Sequence, residues 1–262
     1  MIAPSGPDSA ASGQDADVPY ADDSSPDNVV HIDNLASRRL IATAFGVGSP
    51  AVRALADWLI ANDNMLEAIL DASLSNPDRL KAVRDTGLLD GAPHPAIDNI
   101  AQMTAEAIGT PFASVSLVLN DRQIVIGCNK EETAYPRSRS LDVSLSKFIV
   151  VSGEPLIVND ATLHPLLADH PAVQAGVIRA FAGIPLVDGR GIVVGTVSVW
   201  DSDRHDWTIG QIQLLNDLAD VTCASIFGES AFMPPADSGP PVRRTSGKLK
   251  RFVTRRRSGP GV

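Results

Sequence analysis

Residues 179–201 read RAFAGIPLVDGRGIVVGTVSVWD, and this stretch decides the fold. Apolar and β-branched residues form two runs on either side of Asp188-Gly189, a composition that suits half-buried strands. Because Asp-Gly favours the positive φ angles of a two-residue turn, we predict a β-hairpin. Gly183 and Gly195 fall inside the two strands, where glycine commonly marks a bulge or a close approach of backbone or ligand.

The segments outside the hairpin complete a pattern of strands between helices. Asn64 and Glu67 have the spacing of a capping box and predict a helix start at that point. Strands joined by hairpins, with helices at both ends, favour an antiparallel sheet over a parallel one. The predicted fold class is therefore α+β, an antiparallel sheet of about six strands flanked by helices. We predict helices within 34–75, after Asn76-Pro77, after Pro95, over 144–151 and over 208–227, and strands over 112–119, 123–127 and 156–158 besides the hairpin.

Charge is distributed unevenly over the 262 residues, whose net charge is −9. Residues 1–33 hold seven Asp and no Lys or Arg, whereas residues 243–257 hold eight Lys or Arg and no acid. Both ends lack the large apolar residues that would offset the entropy of ordering. We therefore predict a disordered acidic arm (1–33), a helical extension (34–75), a folded domain (76–228) and a disordered basic tail (229–262).

The composition argues against several classes of protein. Cys128 and Cys223 are the only cysteines, so a disulfide framework is not expected and a cytoplasmic location fits. No apolar run approaches the roughly 20 residues that a membrane span needs. The chain also lacks a Walker loop, a supported Ser/His/Asp order and paired carboxylates on a defined scaffold. We therefore expect a protein that is not an enzyme.

Five ordered segments within residues 78–227 together resemble a GAF domain of the sensory type. They read RLKAVRDTGLLD, HPAIDNIAQMTAEAIGTPFASVSLVLNDRQIVIG, SGEPLIVNDA, VIRAFAGIPLVDGRGIVVGTVSVWD and a closing LNDLAD helix. The resemblance implies helices on one side of the sheet that form a dimer surface, and a pocket on the other face. Members of the family bind small molecules such as cyclic nucleotides, tetrapyrroles or haem, and others serve as interaction or dimerisation modules.

Specialised subfamilies fit these residues poorly. Asn129-Lys130 is similar to the cyclic-nucleotide type, but the Phe and Asp-Glu that should follow are missing. Neither cysteine has the adjacent histidine of a covalent bilin site, and the cysteine set of the free methionine sulfoxide reductases is incomplete. Many sensory members also carry a cysteine in the short-helix segment, which here reads SLSKF at residues 144–148. The resemblance therefore identifies no cofactor.

Candidate site residues come mainly from the resemblance, which implies that Lys147, Asp160, Arg179 and Ser198 face the pocket. Arg179 would offer a guanidinium fork to a carboxylate or phosphate; the alternative is an ordinary strand-edge charge. Cys128 is either a redox switch or, as we favour, a small and partly exposed structural residue. The histidines have no standard metal-ligand spacing, so no metal site is expected.

The function expected from these features is a non-catalytic sensor or signalling module, a homodimer that binds a small molecule or a partner protein and transmits through its terminal helices. One alternative is a dimerisation or interaction module without a ligand. Another is contact with anionic lipid or nucleic acid through the basic tail. The basic residues of that tail are Arg243, Arg244, Lys248, Lys250, Arg251, Arg255, Arg256 and Arg257.

Overall fold

A computed structural model describes residues 34–46, 50–130 and 136–228 of the chain. Their centre is a six-stranded sheet in the order β3-β2-β1-β6-β5-β4, and every neighbouring pair is antiparallel. The predicted α+β class and antiparallel sheet are thus confirmed. The strands are β1 (Phe112–Val118), β2 (Arg122–Cys128), β3 (Ser138–Ser140), β4 (Leu156–Val158), β5 (Ala180–Val187) and β6 (Val193–Asp201).

Helices cover both faces of the sheet. Helices α5 and α8 pack on one face, and the short helix α6 packs on the other, against β1, β5 and β6. The described helices are α1 (Asn34–Ala44), α2 (Pro50–Ala61), α3 (Asp63–Leu74), α4 (Pro77–Asp85), α5 (Pro95–Ile108), α6 (Ser146–Ser152), α7 (Pro171–Gln174) and α8 (Ile209–Phe227). None of these helices is long and apolar enough to cross a membrane.

The N-terminal extension is helical, as predicted. Helices α1 and α3 both pack on α6, and α2 packs on α1 and α3. The predicted capping box at Asn64 and Glu67 is wrong, because α3 already begins at Asp63, with Asn62 in the N-cap position. Asp63 Oδ1 accepts a hydrogen bond of 2.7 Å from the Asn64 backbone N–H, so Asn64 belongs to the first helical turn.

The hairpin between β5 and β6 closes differently from the prediction. Asp188 and Ile192 pair through their backbones, so the loop contains three residues rather than two. The left-handed residue is Gly191, with φ +82, and the Asp188 carboxylate accepts hydrogen bonds from the backbone N–H groups of Arg190 and Ile192. This arrangement is the three-residue hairpin with a left-handed glycine at its end.

The connection between β2 and α6 contains the short strand β3, which the sequence pattern did not reveal. It pairs with the start of β2, so that Arg122 lies opposite Ser140. Just before it, Arg137 forms a two-pronged ion pair with Asp98 of α5, with N–O distances of 2.9 and 3.1 Å. Asp98 also accepts the backbone N–H of Cys128. One carboxylate therefore joins α5, the end of β2 and the start of the edge strand.

Candidate functional site

Four small hydroxyl side chains form a block at the centre of the sheet. Ser114 and Ser116 of β1 lie directly opposite Ser198 and Thr196 of β6, respectively. All four residues are 2% exposed or less. Side chains at alternate positions of a strand share a face, so the two residues of each strand point the same way.

This block faces α6. The Thr196 hydroxyl lies 2.9 Å from the Ser146 hydroxyl of α6. The Ser114 and Ser198 hydroxyls are 3.3 Å apart, and the Gln123 amide donates to Ser116 Oγ at 2.8 Å. The polar layer, as we name this set, therefore satisfies itself by three side-chain pairs, two within the sheet and one between the sheet and α6. It comprises Ser114, Ser116, Gln123, Ser146, Thr196 and Ser198.

Glycines let the surrounding elements approach the polar layer. Gly183 of β5 lies opposite Ser198, and a Cβ placed on it would lie 2.5 Å from Ile149 Cδ1 of α6. A Cβ on Gly195 would collide with the backbone carbonyl of Ser116. Both glycines thus mark the close approach that the sequence predicted, and the neighbour in each case is another part of the protein.

Two buried polar atoms near the N-terminus of α6 have no hydrogen-bond partner in the described part of the chain. They are Ser144 Oγ and His170 Nε2, on residues that are 2% and 8% exposed. The other ring nitrogen of His170 accepts the backbone N–H of Ala172 and caps α7. Burial, helped by the nearby Lys147 charge, lowers the pKa of His170 to about 4. The imidazole is therefore neutral at pH 7, and because Nδ1 accepts a hydrogen bond, Nε2 carries the proton and can donate one further hydrogen bond.

Lys147 lies beside this region on the first turn of α6. Its ammonium group lies 5.2 Å from the centroid of the Phe148 ring. Burial lowers the pKa of Lys147, and the charges of Asp142 and Glu67 partly offset that effect. Of the four residues suggested by the resemblance, the structure therefore brings Lys147 and Ser198 to the α6 side of the sheet.

Asp160 and Arg179 lie together at the start of β5 and pair with each other. Arg179 Nε and Nη2 both donate to Asp160 Oδ2, at 3.2 and 2.9 Å. The Arg179 guanidinium, and secondarily Thr162, lowers the pKa of Asp160 to about 2. In this conformation the fork of Arg179 is occupied by a carboxylate of its own chain. Asp160 also lines an open groove of about 780 Å³ beside α2 and β4.

Both cysteines are free and buried. The expectation that Cys128 is partly exposed is wrong, since this last residue of β2 is only 6% exposed. Burial raises the pKa of each thiol, which disfavours the reactive thiolate. Across residues 34–46, 50–130 and 136–228, no three His, Cys, Asp or Glu side chains are grouped to hold a metal ion.

Most of the polar layer was missed at the level of sequence. Of its six residues, only Ser198 was a candidate. The missing signal was alternation: the buried strands read ASVSL at residues 113–117 and GTVSV at residues 195–199, with a hydroxyl at every second position. Apolar neighbours on both sides of each hydroxyl indicate a strand buried on both faces.

The sequence profile described as GAF domain matches residues 92–226. The chain belongs to the GAF domain family. The match lies inside the predicted 76–228 domain, whose outer limits stay predictions. No curated protein matches the chain.

Solved structures similar to this GAF protein are related only distantly. The GAF domain of an Acinetobacter phosphoenolpyruvate-protein phosphotransferase is 18% identical, with TM-score 0.43, over 58% of this chain and 94% of its own. A free methionine-R-sulfoxide reductase from Neisseria meningitidis is 18% identical, with TM-score 0.43, over 59% of this chain and 86% of its own. A domain of a two-component sensor histidine kinase protein from Sinorhizobium meliloti is 20% identical, with TM-score 0.37, over 51% and 92%.

Proposed function

We propose that this protein is a non-catalytic sensory GAF module that binds a small polar molecule between α6 and the sheet. The observation that carries the proposal is the polar layer together with the unpartnered Ser144 Oγ and His170 Nε2. Burying polar groups is unfavourable unless each is hydrogen-bonded, and a core built only for stability would use apolar residues at these positions. A guest with hydrogen-bonding groups would satisfy the two unpartnered atoms.

The packing of α6 supports a route by which such a guest would signal. Ser146 holds the first turn of α6 to Thr196 through a single hydroxyl pair. A guest that takes over this bond would shift α6, on which α1 and α3 also pack. For this shift to be transmitted through the terminal helices, the guest must bind the protein with different affinity before and after α6 moves.

The surface of α8 supports the proposed homodimer. Leu214 and Val221 are 36% and 52% exposed and lie two turns apart on the helix, with the partly buried Leu218 between them. Apolar residues at spacings of four and three form one stripe on a helix. Such a stripe suits packing against the same helix of a second copy, as the family resemblance implies.

A second candidate is an interaction module without a ligand, and the pairing within the polar layer favours it. Six side chains already satisfy one another in three pairs. In that case the layer specifies the position of α6, and partner proteins bind elsewhere. Contact of the basic tail with anionic lipid or nucleic acid also stays a prediction, since residues 243–257 lie outside the described residues. The acidic arm, residues 1–33, also lies outside the described residues. The cytoplasmic location stays a prediction.

The decisive experiment asks what the natively purified protein carries. The full chain is denatured and the released small molecules are identified by mass spectrometry. The same is done for Ser198→Val, which removes a hydroxyl of the layer, and for Ser225→Val, which removes an exposed hydroxyl on α8. We expect one polar compound from the wild type and from Ser225→Val in near-stoichiometric amount, and at least tenfold less from Ser198→Val. No release from any of the three proteins would favour the interaction module, and equal release from all three would contradict binding at the polar layer.

A further inference from the structure

A separate cavity lies where α1, the start of α4, α6 and the β5–β6 turn meet. Its volume is about 250 Å³. Drug-sized ligands occupy pockets of roughly 300–1,000 Å³, so this one suits a smaller guest. Its polar walls come from Arg38, Ser73, Asn76, Asp78 and Arg79, and apolar residues of α6 and the hairpin form the remainder. None of these residues belongs to the polar layer.

Arg79 is the most unusual residue of this wall. It is 7% exposed, although arginine is rarely buried without a partner. Its two Nη atoms donate to backbone carbonyls, at 2.6 Å to Val118 O and 2.5 Å to Leu74 O. Both acceptors are neutral. Its Nε is buried and has no hydrogen-bond partner within the described residues.

The positive charge of Arg79 is therefore not neutralised by the chain as described. No carboxylate in residues 34–46, 50–130 or 136–228 forms an ion pair with it, and burial lowers its pKa to about 10. Even so, the guanidinium stays protonated at pH 7. A buried charge without a counter-ion is costly, because a guanidinium loses its hydration without gaining an ionic partner.

Arg38 brings a second positive charge to the same cavity. Its Nε donates to the backbone carbonyl of Ser152 at 3.3 Å, again a neutral acceptor. Asp78 also lines the cavity, but its side chain is exposed and lies within the electrostatic reach of Arg190. The buried part of the cavity thus carries an excess of positive charge, with a hydroxyl from Ser73 and an amide from Asn76 close by.

We propose that this cavity binds a small oxyanion of the phosphate class, with Arg38 and Arg79 as its charged ligands. Guanidinium groups match the geometry of phosphate oxygens and form strong charge-assisted hydrogen bonds with them. Because Arg38 belongs to α1 and Arg79 to α4, a bound anion joins the helical extension to the body of the domain. The anion thereby controls how firmly α1 is held, independently of any guest at the polar layer.

The test is thermal unfolding of the full chain in sodium phosphate, compared with sodium chloride at equal ionic strength. Variants Arg38→Gln and Arg39→Gln are matched, since Arg39 is the exposed neighbour on the same helix. We expect a saturable rise of the unfolding temperature for the wild type and Arg39→Gln, and an apparent Kd at least tenfold weaker for Arg38→Gln. Phosphate also stabilises proteins generally by exclusion from their surface, and that effect neither saturates nor depends on Arg38. Equal responses of the two variants, or a wild-type response that never saturates, would overturn the proposal.

A second arm replaces inorganic phosphate with glycerol 3-phosphate and measures binding by titration calorimetry. Tighter binding of the ester identifies a phosphorylated metabolite as the guest, and tighter binding of the free ion identifies inorganic phosphate. No heat of binding from either compound contradicts the proposal. Arg38→Lys, which retains the charge and loses the fork, is expected to bind with intermediate affinity and serves if Arg38→Gln fails to fold.

Discussion

The two faces of the central sheet differ in chemistry although the same strands form both. Towards α5 and α8, the buried side chains of β1 and β6 are aliphatic, including those of Val115 and Val197, both fully buried. Towards α6, the alternate positions of the same strands present Ser114, Ser116, Thr196 and Ser198. Burial is equally complete on the two faces, so exposure to water does not explain the difference.

The comparison separates stability from specificity. The aliphatic face, as we name the α5–α8 side, gains free energy in proportion to the apolar area that it removes from water. The polar layer gains little net free energy from hydrogen bonds that replace bonds to water, but it is costly to leave incomplete. The first face therefore holds the fold together. The second fixes the position of α6 and can respond when a hydrogen-bonding partner changes.

The largest expected effect comes from the aliphatic face. Leu215 of α8 is fully buried there, whereas its neighbour Leu214 is 36% exposed. We expect Leu215→Ala to lower the free energy of unfolding by about 2–5 kcal/mol, through lost transfer energy and a new cavity. Leu214→Ala should cost less than ~1 kcal/mol in the monomer. Urea unfolding of both variants checks this, and equal losses would show that α8 does not supply the core.

The free energy of unfolding should depend on pH through His170, which lies on the α6 side of the sheet. The pKa of His170 is about 4 in the folded protein, below the ordinary value of 6.5. Because the unfolded chain takes up the proton first, stability is complete above pH 6.5 and falls as the pH drops towards 4. The loss is at most about 3 kcal/mol, since one pKa unit corresponds to 1.36 kcal/mol.

The variant His170→Asn tests this pH dependence. Asparagine removes the titrating ring and can still cap α7 through its side-chain oxygen. The difference in unfolding free energy between wild type and variant should therefore shrink, or change in favour of the variant, between pH 6.5 and 4. A constant difference over that range would mean that His170 is accessible to protons in the folded state.

A smaller effect is expected where α6 meets β5. Gly183→Ala places a Cβ 2.5 Å from Ile149 Cδ1, the flexible end of a side chain. We expect a loss of about 1–2 kcal/mol from overpacking, partly recovered in the double variant with Ile149→Val. Gly210→Ala in the first turn of α8 is the control, since its nearest neighbour lies 4.0 Å away. If Gly183→Ala left the free energy of unfolding unchanged, α6 would be packed less closely on the sheet than the structure shows.

Periodicity and turn chemistry were enough to predict most of the fold. The starts of α4 and α5, the end of α5 at Gly109 and the strands β1, β2, β4, β5 and β6 follow from local signals such as Asn76-Pro77 and a left-handed glycine. The strand that these signals did not predict is β3. Strand β3 has three residues and exists because β2 offers it an edge, which no sequence window of that length can signal.

The candidate site was harder to predict, because it depends on register. Ser114 meets Ser198 across a separation of 84 residues, and Ser146 meets Thr196 across 50. Single-sequence patterns place each hydroxyl on a strand or helix, but only the pairing of β1 with β6 and the packing of α6 on the sheet place them together. The same holds for Arg79, whose position in an amphipathic helix looks like an ordinary surface charge until the backbone carbonyl of Val118 is seen beside it.

The smallest effect is expected outside both faces, at the Asp160–Arg179 pair. The pKa of Asp160 is about 2 in the folded protein, below the ordinary value of 3.8. The stabilisation of the folded state by the Asp160 carboxylate is therefore present above about pH 4 and is lost as the pH falls through 2. Arg179 is 45% exposed, and solvent screening weakens ion pairs of this kind.

Asp160→Asn should accordingly lower the unfolding temperature slightly at pH 5 to 7 and leave it unchanged near pH 2. Arg179→Gln should produce the same profile, because either change removes the pair. Arg204→Gln is the control, since its pair with Asp206 is exposed on both sides. If Asp160→Asn instead removed binding of a guest without altering this profile, Asp160 would act in recognition, as the family resemblance implies, and the functional surface would extend beyond the polar layer to the start of β5.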